Sequence, residues 1–174
     1  MSPSARRGVL ALDHGTKRTG LACTDALRIT RTPLDPFQGP GDSPALFAAV
    51  EAVLEERDID TLLVGWPCNM DDSDGPRAAD VGAFAARLAA RFPRLRVLCH
   101  DERLTTKAAE ELLREAGHRG RDARARRDSW SALVLLDDWL RSGEPTTRPI
   151  GPGPSPSPSP NSPGPKPDAE RGVP

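Results

Sequence analysis

Three carboxylates stand where a predicted strand or helix meets a loop. Asp13 ends one apolar run, Glu102 follows another, and Asp128 is predicted to begin the last helix. The residues at i+4 and i+7 from Asp128 are Ala132 and Leu135, so Asp128 is expected to share their inward-facing row. A buried carboxylate is costly unless something pairs with it. Several carboxylates around one divalent cation would meet that need, and magnesium prefers such oxygen ligands.

Spacing alone leaves two interpretations of these acids open. Two divalent cations about 3.5–4 Å apart can clamp the attacking water and the leaving oxygen during phosphodiester cleavage. Acidic residues are also common at strand ends and helix N-termini, where Asp128 would only interact favourably with its helix dipole. The three histidines have no spacing typical of a zinc site. The pattern therefore predicts either a magnesium-type hydrolytic site or ordinary terminal carboxylates.

Basic residues lie close to these acids in the sequence. Lys17 and Arg18 follow Asp13 in a turn that contains glycine, where they would hold a substrate phosphate or form an ordinary solvated hairpin. A polar segment before the last helix, predicted to be a loop, carries six arginines, namely Arg114, Arg119, Arg121, Arg124, Arg126 and Arg127. Such a segment would track a nucleic-acid backbone or serve as a solubilising loop.

The elements that must position these residues follow the order βββαβαβαα. Apolar runs predict strands at 8–12, 18–24, 29–34, 61–65 and 95–99. Helices are predicted from Ser43-Pro44, from Pro76, from Thr105 or Thr106, and over 127–140. A three-strand meander followed by βα units indicates an α/β fold, with a mixed five-stranded sheet flanked by helices.

Composition limits the class of protein. The net charge is −1, so any nucleic-acid binding must come from a local basic patch. The cysteines are far apart and no apolar run is long enough for a signal sequence or a membrane span, so a cytoplasmic location is expected. Most of the 19 prolines fall in the last part of the chain. We therefore expect one folded domain over 5–143 and a disordered tail rich in Pro, Ser and Gly over 144–174.

Four motifs occur in one order along residues 8–140. They are "LALDHGTKRTGLACTD" (10–25), "LLVGWPCNMDDSDGPRA" (62–78), "DERLTTKAAEELLREAG" (101–117) and "DSWSALVLLDDWL" (128–140). Together they resemble the YqgF/RuvX family of pre-rRNA nucleases and Holliday-junction resolvases. The resemblance implies an RNase H-like fold, with a three-strand antiparallel meander and two parallel strands. It also implies that Asp13, Glu102 and Asp128 are catalytic and bind Mg2+ or Mn2+, with Asp101 ranked below them.

The resemblance extends to substrate and partners. It implies hydrolysis of phosphodiester bonds at the 5′ end of pre-16S rRNA, with structured DNA as another nucleic-acid partner, by a monomer or weak homodimer. The residues expected to bind nucleic acid are Lys17, Arg18, Asn69, Arg103, Arg121, Arg124, Arg126 and Arg127. His14 and the segment after Asp128 depart from the family pattern, and Trp130 is expected to narrow the groove beside the site.

Three other functions are compatible with parts of this pattern. Within the nuclease class, the alternative is a Holliday-junction resolvase, whose two active sites require a symmetric interface. Outside it, a non-catalytic nucleic-acid-binding factor in transcription or ribosome assembly would carry similar basic residues. The run Asp13 to Lys17 also resembles a phosphate loop of the actin-like ATPases. Those ATPases close two such domains over the nucleotide, and residues 5–143 supply only one.

Overall fold

The computed structural model describes residues 6–67, 76–101 and 105–146, without the side chains at 105–108, 122, 124 and 125. The strands are β1 (Gly8–His14), β2 (Arg18–Thr24), β3 (Arg31–Pro33), β4 (Phe37–Gln38), β5 (Ile59–Trp66) and β6 (Arg96–Asp101). The helices are α1 (Pro44–Glu56), α2 (Pro76–Arg91), α3 (Thr105–Glu115) and α4 (Gly120–Arg141).

The strands form one mixed sheet in the order β3-β2-β1-β5-β6. β1 pairs antiparallel with β2, and β2 with β3, whereas β5 pairs parallel with β1 and with β6. The mixed α/β sheet predicted from the sequence is therefore confirmed. The two-residue β4, which pairs with β2 off this path, was not predicted. The carboxyl ends of β1, β5 and β6 meet at one edge, as parallel strands require.

Each face of the sheet buries its own apolar cluster. Alternate residues of a strand point to opposite faces. Leu10 and Leu12 accordingly pack with the α1 and α2 side chains, including Leu46 and Phe84. On the other face, Val9 and Ala11 pack beneath α4, against Ala132, Leu135, Leu136 and Trp139. The odd-numbered residues of β1 therefore face α4, and this alternation continues to the strand end.

The start of the last helix differs from the prediction. Sequence periodicity placed it near Arg127 after a polar loop, but α4 begins at Gly120. The extra turns are made largely of arginine and alanine, which are good helix formers but leave no apolar stripe to recognise. Asp128 consequently lies in the third turn of α4 and does not begin it. Because the helix dipole acts within the first turn, the dipole interpretation of Asp128 is wrong.

Local sequence signals predicted the starts of α1 and α2 correctly. The Ser43 side chain accepts a hydrogen bond from the Leu46 amide, capping α1 as predicted, and Pro76 begins α2. The strand predicted over 29–34 is shorter, because only Arg31–Pro33 pair with β2. Across the described ranges, no helix is both long enough and apolar enough to cross a membrane.

Half-buried ion pairs join the end of α4 to the sheet, away from the sheet edge that carries Asp13. The Arg28 side chain, 5% exposed, contacts Asp60 at 2.9 Å and Glu144 at 2.6 Å. The indole of Trp139 donates to the Pro145 carbonyl at 3.0 Å. Residues 144 and 145 are thus packed on the domain, while most of the predicted tail, 147–174, lies outside the described residues. The proposed domain limits stay a prediction.

Candidate nuclease site

Asp13 and Asp128 are brought to the same place by a close contact between α4 and β2. Asp13 lies directly opposite Gly20 in the antiparallel ladder, so both residues face α4. A Cβ atom at Gly20 would stand 2.9 Å from the Ser129 nitrogen and closer still to the Asp128 carbonyl. Only glycine lets the helix backbone rest on the strand here. Asp128 therefore lies over the strand pair that carries Asp13. Neighbouring strands of a sheet are about 4.8 Å apart.

The Asp128 carboxylate is held in an incompletely satisfied environment. Its side chain is 23% exposed, and its Oδ2 atom is buried without a hydrogen-bond partner. The Nη1 atom of the Arg18 guanidinium lies 3.9 Å from Oδ2, beyond hydrogen-bond length. The residues below it on the helix, Ala132 and Leu135, are buried, which confirms the predicted inward-facing row. Asp128 thus keeps an acceptor oxygen available beside the sheet edge.

The end of β6 reaches the same edge of the sheet. Leu12 pairs with Val64, and Val64 pairs with Cys99, so the next residues along form a row of Asp13, Gly65 and His100. His100 is buried, with Nε2 2.7 Å from Asp138 Oδ2 and Nδ1 without a partner. Asp101 ends β6 and is half-buried. Glu102, the third predicted acid, lies outside the described residues and stays a prediction.

A cleft of about 290 Å³ opens beside Asp128. Three of the residues predicted to bind nucleic acid line it, namely Lys17, Arg18 and Arg127. Its wall also contains Arg77 and Asp80, which the sequence analysis did not single out. The cleft thus places four cations from three elements against two carboxylates. This excess of positive charge favours an anionic ligand such as a phosphate.

Arg77 carried a sequence signal that was overlooked. It is the second residue of α2, in the first turn, where the helix dipole disfavours a cation. Its guanidinium reaches back across the cleft and donates to the His14 carbonyl at 3.4 Å. A basic residue directly after a helix-opening proline could therefore have been read as a candidate ligand residue.

The turn that carries Lys17 is held in place by the following loop. The Gly39 amide donates to the Lys17 carbonyl at 3.0 Å, and the Gly41 amide donates to the Thr16 carbonyl at 3.2 Å. A Cβ atom at Gly41 would stand 3.2 Å from His14 Nδ1 and closer to the Gly15 carbonyl oxygen. The β1–β2 turn is therefore buttressed from outside the hairpin.

His14 lines the same cleft as Asp128, but its ring packs against α2. Its ring stacks on Phe84 of α2, with centroids 3.9 Å apart and planes 6° apart. Burial, assisted by the nearby Arg77 guanidinium, lowers the pKa of His14. The residue that departs from the family pattern at this position is thus neutral at physiological pH and fills the α2 face.

The remaining predicted residues are less informative. Arg121 and Arg126 are exposed on α4 outside the cleft lining. Asn69, Arg103 and the Arg124 side chain lie outside the described residues, so their roles stay predictions. Arg127, which does line the cleft, is 3.8 Å from Glu110 of α3.

The carboxylates among the described residues of the site fit a hard divalent cation. Asp13 and Asp128 would supply carboxylate oxygens, and such a cation would satisfy the Asp128 oxygen that has no hydrogen-bond partner. No cluster of three or more potential ligands is found within residues 6–67, 76–101 and 105–146, and Glu102 falls in a gap between those ranges. Two protein carboxylates with water and substrate oxygens are a common magnesium site.

The chain therefore forms a mixed α/β sheet with an acid at the end of its central strand and a second acid on a helix that covers the sheet. Residues 7–142 match the family model described as "RuvX: Holliday junction resolvase". The chain belongs to the RuvX family. The resemblance inferred from the four sequence motifs is therefore confirmed.

Relatives support the same assignment over most of their length. A protein of Saccharophagus degradans is 38% identical over 79% of this chain and 96% of its own length. One from Anaeromyxobacter sp. is 41% identical over 75% of this chain and 94% of its own length. Both bear the name "Putative pre-16S rRNA nuclease". Thermus thermophilus RuvC in complex with a Holliday junction substrate is 17% identical, with a TM-score of 0.47, over 79% of this chain and 97% of that one.

Proposed function

We propose that this protein is a metal-dependent nuclease that hydrolyses phosphodiester bonds in RNA and processes the 5′ end of pre-16S rRNA. One observation carries the catalytic part: a buried, unpartnered Asp128 oxygen lies over the strand pair of Asp13, beside a cleft with four cations. The proposed substrate is taken from the family, since relatives that match this chain over most of their own length are named for pre-16S rRNA.

The cations of the cleft bind and orient the substrate backbone. Arg18 and Arg77 offer planar guanidinium groups that pair with phosphate oxygens in a fixed geometry, while Lys17 acts as a point charge. Arg77 comes from α2 and Arg127 from α4, so a phosphate between them is held from two sides. In the substrate-free protein Arg18 lies 3.9 Å from Asp128 and partly offsets its charge.

Asp13 and Asp128 would hold the cation, with Glu102 as the third ligand that the family resemblance implies. Bound there, the cation supplies the activation of the attacking water and the neutralisation of charge on the leaving oxygen. The protein fixes the two carboxylates by different means. Asp13 is fixed by the pairing of β1 with β2, and Asp128 by the close contact of the α4 backbone with Gly20. Neither position depends on a mobile loop, which suits a site that needs precise ligand geometry.

The placement of the arginines gives independent support for nucleic-acid binding. Cations in the first turns of a helix interact unfavourably with its dipole, yet α2 has Arg77 there and α4 has Arg121. Sequences tend to break local rules of this kind at functional sites. The salt dependence of binding should therefore report several phosphate contacts.

The test compares substrates and a matched pair of variants. Labelled single-stranded RNA, a precursor rRNA fragment and a four-way DNA junction are incubated with magnesium or manganese. We expect metal-dependent cleavage that favours the precursor RNA. It should be lost in Asp128→Asn and Asp13→Asn and retained in Asp35→Asn, which makes the same charge change at an exposed residue outside the cleft.

Each other outcome assigns a different function. Preferential cutting of the junction would make the protein a resolvase. Binding of nucleic acid without cutting by the wild type would make it a non-catalytic factor. Cutting that survives both acidic substitutions would place the active site elsewhere.

Two further parts of the proposal concern the protein in the cell. The buried thiol of Cys23 is free, which fits a reducing cytoplasm where pre-rRNA is made. A monomer or weak homodimer suffices for RNA processing, and sedimentation of the full chain with and without RNA would test that state.

A further inference from the structure

A second groove, lined by α3 and α4, carries apolar side chains that the nuclease site does not use. It encloses about 510 Å³, and its floor is made of Leu112, Trp130, Leu133 and Val134. Leu112 is 38% exposed, and the other three are only half-buried. Half-exposed Trp and Leu side chains gathered in a groove are typical of a protein-docking surface.

The rim of this groove is acidic. Glu111 and Glu115 of α3 and Asp138 of α4 are exposed along it. The two rim cations, Arg31 and Arg141, both contact Asp137, at 2.9 Å and 2.8 Å, so Asp137 already binds them. The rim therefore presents an excess of negative charge, opposite in sign to the cleft beside Asp128.

Two of the rim acids occupy positions that are locally unfavourable. Glu111 and Glu115 are four residues apart, so their like charges lie next to each other on the helix surface. Glu115 is also the last residue of α3, where the helix dipole disfavours an anion. Both placements become more favourable when a cationic partner lies in the groove.

We propose that the α3–α4 groove docks a basic amphipathic segment of a protein partner. The apolar side of that segment would pack on Trp130 and Leu112, and its lysines or arginines would face Glu111 and Glu115. The negative rim disfavours a nucleic-acid backbone, whose phosphates would be repelled. This surface is separate from the cleft, so a partner there could bring the nuclease to a protein-bound RNA without covering Asp128.

The test uses designed probes on the full chain. A fluorescein-labelled helical peptide of Lys and Leu, roughly 18 residues long with Leu at i, i+3, i+4 and i+7, is titrated by anisotropy. A Glu and Leu peptide with the same pattern is the probe control. We expect the basic probe to bind at least about tenfold more tightly than the acidic one, and binding to weaken as salt is raised.

Variants separate the charged rim from the apolar floor. Glu115→Lys should weaken binding of the basic probe about fivefold or more, and Leu112→Gln should weaken it similarly. Both residues are exposed, so the fold should tolerate either change. Glu56→Lys is the matched control, because Glu56 is the exposed last residue of α1 and lies outside this groove; its affinity should equal that of the wild type.

Four results would overturn the assignment. They are equal binding of the two probes, equal effects of Glu115→Lys and Glu56→Lys, and competition of RNA for the groove. The fourth is a dimer in sedimentation that Leu112→Gln dissociates, because a second copy would then be the occupant. None of these readouts requires nuclease activity, so the docking surface can fail while the proposed function stands.

Discussion

Replacing Gly20 with alanine should damage both the fold and the site, because it acts where α4 rests on β2. The new Cβ would lie 2.9 Å from the Ser129 nitrogen and nearer to the Asp128 carbonyl carbon and oxygen. All three obstructing atoms belong to the backbone, so no side-chain rotation relieves the overlap. Since ordinary carbon contacts lie at about 3.5–4.0 Å, the helix must withdraw by a distance on the order of 1 Å.

Two consequences of that withdrawal are measurable. Overpacking of this kind costs typically about 1–3 kcal/mol, and we expect the upper end because the buried row of Ala132 and Leu135 moves with the helix. Asp128 moves away from Asp13, and a misplacement of about 1 Å can cost roughly 100-fold in rate. Urea denaturation measures the first effect, and single-turnover cleavage of labelled RNA at saturating metal measures the second.

Gly82→Ala is the matched control. A Cβ at Gly82 would meet Trp66 ring carbons at 3.4 Å and 3.6 Å, which is ordinary contact. Gly82 lies inside α2, where alanine is favoured over glycine by about 1 kcal/mol, so the variant should be as stable as the wild type or more so. If Gly20→Ala kept wild-type stability and cleavage, the close contact between the α4 backbone and β2 would be refuted. The explanation of how Asp128 is positioned would fail with it.

Three further predictions test separate features. Arg28→Met should lower the free energy of unfolding by about 2–3 kcal/mol, since Asp60 loses the cation that it shares with Glu144, and Glu144 is left with Arg6. Arg7→Met at an exposed pair should cost under about 1 kcal/mol. Burial raises the pKa of Cys23, so the folded state loses stability as pH rises above the ordinary thiol pKa of about 8.5. This loss should be shallower in Cys23→Ala, and parallel profiles of unfolding free energy against pH would contradict the prediction. Arg77→Gln should reduce the salt slope of single-stranded RNA binding by about 0.7, as expected for one lost phosphate contact, while Arg94→Gln on the exposed α2–β6 turn should leave it unchanged.

Most of the sheet could be predicted because its signals are local. The apolar run of β1 ends at Asp13, and alternation along the strand then decides which face the carboxylate takes. The proline that opens α2 and the Ser43 cap of α1 are equally local. The two-residue strand β4 has no apolar run long enough to recognise in the sequence, since only its pairing with β2 defines it.

The parts that sequence reasoning missed depend on contacts between distant segments. Arg77 joins the cleft only because α2 packs beside the β1–β2 turn. The first turns of α4 consist largely of arginine and alanine and carry no apolar stripe, so no periodicity distinguished them from a loop. Glu102 remains a prediction from the family motif, because it lies outside the described residues.

The features that break local rules fall at the proposed site and at the proposed docking groove. Gly20 interrupts a buried strand, Arg77 opposes a helix dipole, and Asp128 keeps an unpartnered oxygen, all at the edge of the sheet where β1 ends. The last two are unfavourable alone, and the proposed phosphate and divalent cation would relieve both. Glu115 breaks the dipole rule with the opposite sign at the end of α3, in the groove whose other wall is α4. The proposed partner there is cationic, so the cleft and the groove, which both border α4, are expected to select different partners.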